Sequence, residues 1–366
     1  MTAPDVVADT RFEQYYRNLL QVFLYVTDEC NLRCTQCYYM PWLKKGHAEM
    51  PTDVLLALLR KFRAMGAIKL SFLGGEPTLY GQAAGNAPIG AIISEARKIG
   101  FQYLRMVTNG LFPETLLADD RLRALDEITF SIDGDTATLH DSLRGVGTFE
   151  RTVANVKRAV ALGYNVHITT CVHRGNVGYD DKHSYLLDRA IRWAASLGAN
   201  LINFHPLFKM GIARDSWTGD TDISPDEWVP LYNAIHSNVD AGAYPIDVRI
   251  PQRFVTPGEF EREPARYGFC PVKLAERIEV HTNGQIHSCA LNNGTPVSMA
   301  KFSRDEGGPV MIRWSPSRNE LAEYAFDPTS DHPCAVMQAD FHDRVPLCIS
   351  FKPDQEEYIW KHVGLS

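Results

Sequence analysis

Six short apolar runs, separated by stretches of helical periodicity, limit what this chain can fold into more than any other feature. They are "VFLYVT" (22–27), "IKLSFLGG" (68–75), "YLRMVTNG" (103–110), "EITFSIDG" (127–134), "NVHITTCVH" (165–173) and "NLINFHPL" (200–207). Between them, Leu55, Leu58, Leu59, Phe62 and Met65 fall on one helical face, as do Phe149, Val153, Val156 and Val160. Strand and helix alternating in this way predict an α/β chain, a parallel sheet with helices packed outside it. Six units predict a partial (β/α)6 TIM-like barrel, short of the eight units of the full one.

Strand parity adds to this. Ile128, Phe130 and Ile132 share one face, while Thr129, Ser131 and Asp133 share the other. Val166, Ile168 and Val172 oppose His167, Thr169, Cys171 and His173, and Ile202 and Phe204 oppose Asn203 and His205. A parallel strand buried on both faces is apolar on both. These three are apolar on one face only, so the other is expected to line a lumen that holds a polar ligand.

Composition narrows the function. The 366 residues allow one large domain and a smaller one. Lys and Arg number 37 against 44 Asp and Glu, a net charge of −7, which argues against nucleic acid as a partner. The opening "MTAPDVVADTRFEQYYRNLL" has no apolar h-region. No apolar run approaches the ~18 residues of a membrane helix. A cytoplasmic protein with no membrane partner is expected. Eight cysteines are too few for a disulfide scaffold of this length, so metal binding or catalysis is the expectation for them. After about residue 255 the pattern changes, and "TPGEFEREPARYGFCP" reads as a boundary. The expected division is an N-terminal extension (1–19), the barrel (20–255) and a C-terminal domain (256–366).

"TDECNLRCTQCYY" (27–39) puts Cys30, Cys34 and Cys37 together as C-x3-C-x2-C. Three thiolates are soft ligands for Zn or an iron–sulfur cluster. A structural Zn wants four closed ligands, and His47 could complete such a set. On a 4Fe–4S cluster, three cysteines leave one iron open to bind a second molecule.

C-x3-C-x2-C directly after a first strand resembles the signature of the radical S-adenosylmethionine (radical SAM) enzymes. That resemblance implies a SAM-binding 4Fe–4S cluster on Cys30, Cys34 and Cys37. Its open iron would chelate SAM, and an electron would cleave SAM to a 5′-deoxyadenosyl radical that abstracts a substrate hydrogen atom. Further motifs follow in the family's order. Gly74, Gly75, Glu76 and Pro77 are similar to its GGEP motif, where backbone meets the methionine amino group; read alone, they make a tight βα turn. Thr108 and Asn109 end the third strand. Ser131 and Asp133 are similar to the family's contacts to the SAM ribose and carboxylate, and Arg144 to a partner of the SAM carboxylate. All lie at strand ends or the loops after them, where barrel sites form. Gln36 departs from the pattern, standing where the family usually has an aromatic residue that stacks on adenine. Tyr38 and Tyr39 follow the third cysteine instead.

Cys270, Gly284 and Cys289 form C-x13-G-x4-C. This is similar to the opening of the SPASM and Twitch extensions, which carry auxiliary iron–sulfur clusters. Gly284 is the expected hairpin turn. With Cys334 and Cys348 the set is four thiolates. That is fewer than a SPASM domain uses, which implies a smaller α+β Twitch-like domain with one auxiliary 4Fe–4S cluster. A closed cluster suits electron transfer. A four-cysteine Zn site would satisfy the same residues.

These features add up to an oxidoreductase. Hydrogen abstraction followed by loss of an electron to a closed cluster oxidises the substrate by two electrons, giving dehydrogenation or peptide cross-linking. Two other radical outcomes stay open: epimerisation with Cys171 as hydrogen donor, where the plain alternative is a small buried cysteine, and decarboxylation. Outside enzymes, the chain would be an iron–sulfur electron carrier or a Zn-stabilised binding protein. His173, Arg174, Asn203, His205 and Lys209 are candidates for substrate contact, with His173 and His205 as catalytic candidates. The resemblance implies an external one-electron donor, flavodoxin- or ferredoxin-like. Only 29 residues precede Cys30, which tilts the substrate toward a small molecule or a peptide brought by a separate partner.

Overall fold

Each of the six apolar runs forms a strand, and all six pair in parallel. The computed structural model describes residues 4–37, 39, 48–81, 85–181, 183–206, 223–250, 253–255, 258, 262, 275–289, 298–315 and 345–347. A short strand β1 (Val6–Ala8) and helix α1 (Thr10–Tyr15) lead into β2 (Gln21–Tyr25). There follow α2 (Thr52–Ala64), β3 (Lys69–Leu73), α3 (Ile89–Ile99), β4 (Tyr103–Thr108) and β5 (Glu127–Ser131). Then come α4 (Ala137–Arg144), α5 (Thr148–Ala161), β6 (Val166–Val172), α6 (Leu186–Ser196), β7 (Leu201–Pro206) and α7 (Pro225–Asp240). Strand β8 (Asp247–Arg249) extends the parallel run from β2 by one beyond those read from the sequence. The sheet is open.

The expected parity holds. Val22, Leu24, Leu70, Phe72, Leu104, Met106, Ile128, Phe130, Val166, Ile168, Ile202 and Phe204 all join one core with the helices. From α2, Leu55, Leu58, Leu59 and Phe62 meet them there. The opposite face carries the polar set in register, because side chains paired across parallel strands point the same way. Ser131 lies beside Thr169, Thr169 beside Asn203, and Asn203 beside Arg249. One layer up, Cys171 lies beside His205.

α5 departs from its apolar pattern. Its buried face includes the polar Thr152 and Asn155 with Val156 and Ala159, while Phe149 and Val160 flank it. The reason is the loop after β4, whose carbonyls need donors. Thr152 Oγ1 donates to Asn109 O at 2.9 Å, and Asn155 Nδ2 donates to Gly110 O at 2.8 Å and Phe112 O at 3.0 Å.

C-terminal to the barrel, β9 (Arg253–Val255) pairs with β14 (Val345–Leu347). β10 (Arg277–Val280) joins the barrel sheet itself, parallel to β2, with Arg277 opposite Gln21 and Val280 opposite Leu24. β11 (Gln285–His287), β12 (Ala300–Arg304) and β13 (Val310–Trp314) continue it antiparallel, and β1 pairs in parallel on β13. Gly284 turns the β10–β11 hairpin at φ +84, as its position in the sequence suggested. A Cβ there would meet Phe302 O at 2.4 Å.

Candidate active site

The cysteine loop leaves the C-terminal end of β2, and backbone contacts hold it in place. Glu76 N donates to Glu29 O and Gly75 N to Thr27 O, each at 2.7 Å. A Cβ on Gly74 would lie 2.6 Å from Thr27 O, and one on Gly75 2.2 Å from Glu29 O. Glycine at both places lets the two loops run in contact. Thr35 N donates to Leu143 O at 2.9 Å, docking the far side of the loop on α4.

Glu76 and Asp133 anchor the site from two sides. Buried Glu76 accepts from Thr108 Oγ1 at 2.7 Å, Asn109 N at 2.7 Å and Thr78 Oγ1 at 2.7 Å, joining the ends of β3 and β4. Burial outweighs these donors and raises its pKa. Pro77 opens the short turn behind it. Asp133 is fully buried. Its Oδ1 accepts from Cys171 N at 2.8 Å, and its Oδ2 accepts from Gln36 Nε2 at 2.7 Å and Arg144 Nε at 2.6 Å. Burial opposes the charge, but the Arg144 guanidinium and the Cys171 N–H outweigh it and hold the carboxyl below its ordinary value. Asp133 therefore ties together the cysteine loop, α4 and β6.

Cys30, Cys34 and Cys37 share this loop. Cys30 Sγ accepts from Leu32 N at 3.4 Å and from Asn109 Nδ2 at 3.9 Å. The same Asn109 amide donates to Asn31 Oδ1 at 2.7 Å. Burial pushes the Cys30 thiol up to about 12, with Glu76 and the other two cysteines adding to it. Burial raises Cys34 too, against the pull of Arg144. No group of three or more Cys, His, Asp or Glu stands in metal-binding geometry among the described residues. Bringing three repelling thiolates together is work that a metal itself performs. The chemistry of the donor set fits a cluster: three soft sulfurs on one loop, with N–H donors on that of Cys30. Two buried polar atoms near this loop stand open. Gln36 Oε1 and His173 Nε2 are buried with no hydrogen-bond partner among the described residues. Asp133 must take the N–H side of the Gln36 amide, so that oxygen is left over.

His173 follows β6. Its Nδ1 accepts from Gly175 N at 3.1 Å, which leaves the proton on Nε2, and burial lowers its pKa. Cys171 faces the lumen. Burial, then the Asp133 charge, raises its pKa well above the ordinary thiol value, so it stays an S–H. Asn203 Nδ2 and His205 Nε2 are 2.6 Å apart. Ser131 is half-buried beside Thr169. Arg174 pairs instead with Glu227 at the start of α7, through Nη2 to Oε2 at 2.7 Å. Lys209, Tyr38, Cys270, Cys334 and Cys348 lie outside the described residues.

Several lumen residues were not singled out in the sequence, Glu127 and Tyr103 among them. Tyr103, with Thr129 and His167 of the polar face, surrounds buried Glu127 near the N-terminal ends of the strands, with His167 Nδ1 3.1 Å away. Burial opposes the Glu127 charge, and His167 outweighs it, so its pKa is lowered. Phe23 lies between two guanidiniums, Arg105 at 5.7 Å and Arg277 at 5.8 Å from its centroid. Alternation would have found Arg105, but Arg277 needed the pairing of β10 with β2. Tyr39 stacks on Tyr25 (4.8 Å) and Tyr25 on His281 (4.1 Å), with Cys30 and Cys37 packed against the two tyrosines.

Cys289 is at the other end of the wall. Arg277 Nη2 donates to Cys289 Sγ at 3.4 Å, and Arg277 pairs with Gln21, the first residue of β2. The opening cysteines follow Tyr25, its last residue. Five residues at ~3.3 Å each separate the two ends by roughly 17 Å.

Residues 24–181 match the family model described as Radical SAM superfamily. GTP 3′,8-cyclase of Haemophilus influenzae is 28% identical over 156 residues, which cover 42% of this chain and 44% of that protein. The match thus spans less than half the curated relative. Among solved structures, Streptococcus suis SuiB bound to S-adenosylmethionine is similar with a TM-score of 0.58 at 15% identity, covering 79% of this chain and 65% of that one. Native anSMEcpe with bound AdoMet has a TM-score of 0.54 at 16% identity and 74% coverage of each chain. At these identities the likeness is one of fold.

Proposed function

We propose, on the premise that residues 24–181 are a radical SAM domain, that this chain is an oxidoreductase acting on a substrate held in the lumen. The substrate would lose a hydrogen atom at the mouth of the barrel and a further electron toward the C-terminal cysteines. Cys30, Cys34 and Cys37 would hold a 4Fe–4S cluster, which with SAM supplies a 5′-deoxyadenosyl radical when bound. Cys270, Cys289, Cys334 and Cys348 would hold an auxiliary 4Fe–4S cluster.

The observation that carries this reading is the separation of the opening cysteines from Cys289 along β2. A substrate in the lumen would lie between the radical source and the electron sink. One hydrogen atom and one electron make a two-electron oxidation. An alcohol or amine so treated also loses a proton and becomes a carbonyl or imine. Thr108 and Asn109 would set the β4 end of the SAM pocket. Gly74 and Gly75 let its loop approach β2, with Glu76 and Pro77 behind. Ser131, Asn203 and His205 would meet the substrate or the ribose, His173 Nε2–H would donate to whichever group lies above it, and Asp133 and Arg144 would hold the pocket together. A peptide substrate is supported by SuiB, which was solved with the precursor peptide SuiA. A small molecule fits the same lumen, and a flavodoxin- or ferredoxin-like protein would deliver the electron.

Cys171 favours a second reading, epimerisation. A protonated thiol on the lumen face, whose backbone is tied through Asp133 to the cysteine loop, would return a hydrogen atom to a substrate radical.

The test is iron and sulfide content after anaerobic reconstitution, with SAM cleavage by dithionite. We expect about eight irons, falling to about four in the Cys30/Cys34/Cys37→Ala variant along with all 5′-deoxyadenosine formation. About four irons falling to none would remove the electron sink and the oxidoreductase reading with it. Cys171→Ala should leave oxidised product forming; if instead it abolishes product while SAM cleavage continues, the chain is an epimerase.

A further inference from the structure

Arg277 contacts Cys289, Ser288 and Phe23. Nη2 donates to Cys289 Sγ at 3.4 Å, Nε donates to Ser288 O at 3.3 Å, and Cζ lies 5.8 Å from the centroid of the Phe23 ring. Phe23 is on β2, Arg277 opens β10 beside it, and Cys289 lies two residues past the end of β11. The guanidinium is thus fixed by a backbone carbonyl and an aromatic face while one of its N–H groups points at a cysteine sulfur. A surface arginine with rotamer freedom would not hold that geometry.

We infer that Arg277 tunes the auxiliary cluster, raising its reduction potential through a charge-assisted N–H···S bond to Cys289. The inference rests on Cys289 being a ligand of that cluster, as proposed above. Reduction adds one negative charge to the cluster and its thiolates. A permanent cation bonded to one of those sulfurs stabilises the reduced form more than the oxidised one. Hydrogen bonds to sulfur and local charge are among the levers that set iron–sulfur potentials. The direction suits an electron sink. The substrate radical loses one electron, the cluster gains it, and an external one-electron carrier takes it away. Arg277 is a positioning residue in this, since it touches the ligand and not the substrate.

The experiment is a redox titration of the reconstituted full chain, followed by electron paramagnetic resonance, in the wild type and in Arg277→Met. At a poise fixed on the wild-type midpoint, the variant should show an oxidised-to-reduced ratio about tenfold higher. For a one-electron couple that is a midpoint about 59 mV lower. Iron content and the couple of the Cys30/Cys34/Cys37 cluster should not move. Arg277→Lys, which keeps the charge and loses the planar fork, should fall between the two. An unchanged auxiliary midpoint in a fully loaded Met variant overturns the inference. If the Met variant loses iron, Arg277→Gln keeps an N–H donor without the charge and is titrated in its place. There too a lower midpoint is expected, and an unchanged one overturns the inference. A wild type with about four irons and a single couple would show that Cys289 holds no cluster, and both the inference and the reading beneath it would fall.

Discussion

Asp133 and His140 meet across one hydrogen bond, Asp133 N donating to His140 Nδ1 at 3.3 Å. Burial, then the nearby Arg144 charge, lowers the His140 pKa from 6.5 to about 4. Between those values the unfolded chain binds more protons than the folded one. The stability His140 contributes is therefore full above about 6.5 and is lost as pH falls toward 4. The gap is worth about 3 kcal/mol. His140→Leu should remove most of the loss in urea midpoint between pH 7.5 and pH 5, while costing about 1 kcal/mol at pH 7.5 for the unpaired Asp133 N–H. An unchanged slope would place the acid sensitivity elsewhere. Alternation alone put Asp133 on the lumen face with Ser131, because period-2 parity is local. Its hydrogen-bond partners were not legible. Gln36 and Cys171 reach it from 97 and 38 residues away, and no local pattern encodes such contacts.

The elements were more readable than the loops between them. α2 buries the residues its periodicity marked, and the strands at 127–131, 166–172 and 201–206 face as their parity required. β8 was missed because three residues carry too little pattern to stand out. The buried face of α5 was misjudged at Thr152 and Asn155, since apolar counting cannot see a polar side chain whose partners are the carbonyls of another loop. Gly75 was marked for close backbone approach, and within the fold that approach is to the cysteine loop itself. Gly75→Ala would put a methyl carbon 2.2 Å from Glu29 O. The loop after β2 must then move. We expect a loss of about 1–3 kcal/mol in the thermal or urea transition and reduced iron retention on the opening cysteines. A variant as stable and as iron-rich as the wild type would mean the loops have slack.

At the scale of the molecule, the sheet makes the C-terminal strands part of the barrel wall. β10 covers one edge of β2 along four paired residues, and β11–β13 extend from it back to β1. Nothing local in residues 277–314 announces a partner so far back in the chain. A chain cut after residue 250 would bare the β2 edge, with Leu24 and Val22 beside it. Such an edge is a template for pairing with other chains. We expect that fragment to aggregate or to lose cooperative unfolding on a urea gradient; a monomer with a sharp transition would show that the barrel stands without those strands. The pairing also imposes an order of events in time. β2 emerges early in synthesis, yet its neighbour Ile278 follows about 250 residues later, which at ~5–20 residues per second is a wait of roughly 10–50 seconds. Until then the strand that leads into Cys30, Cys34 and Cys37 has one side open. If those cysteines take up iron as proposed, the loop that carries them gains its last neighbouring strand only once residue 280 has been made, so its completion trails its own synthesis by about two-thirds of the chain.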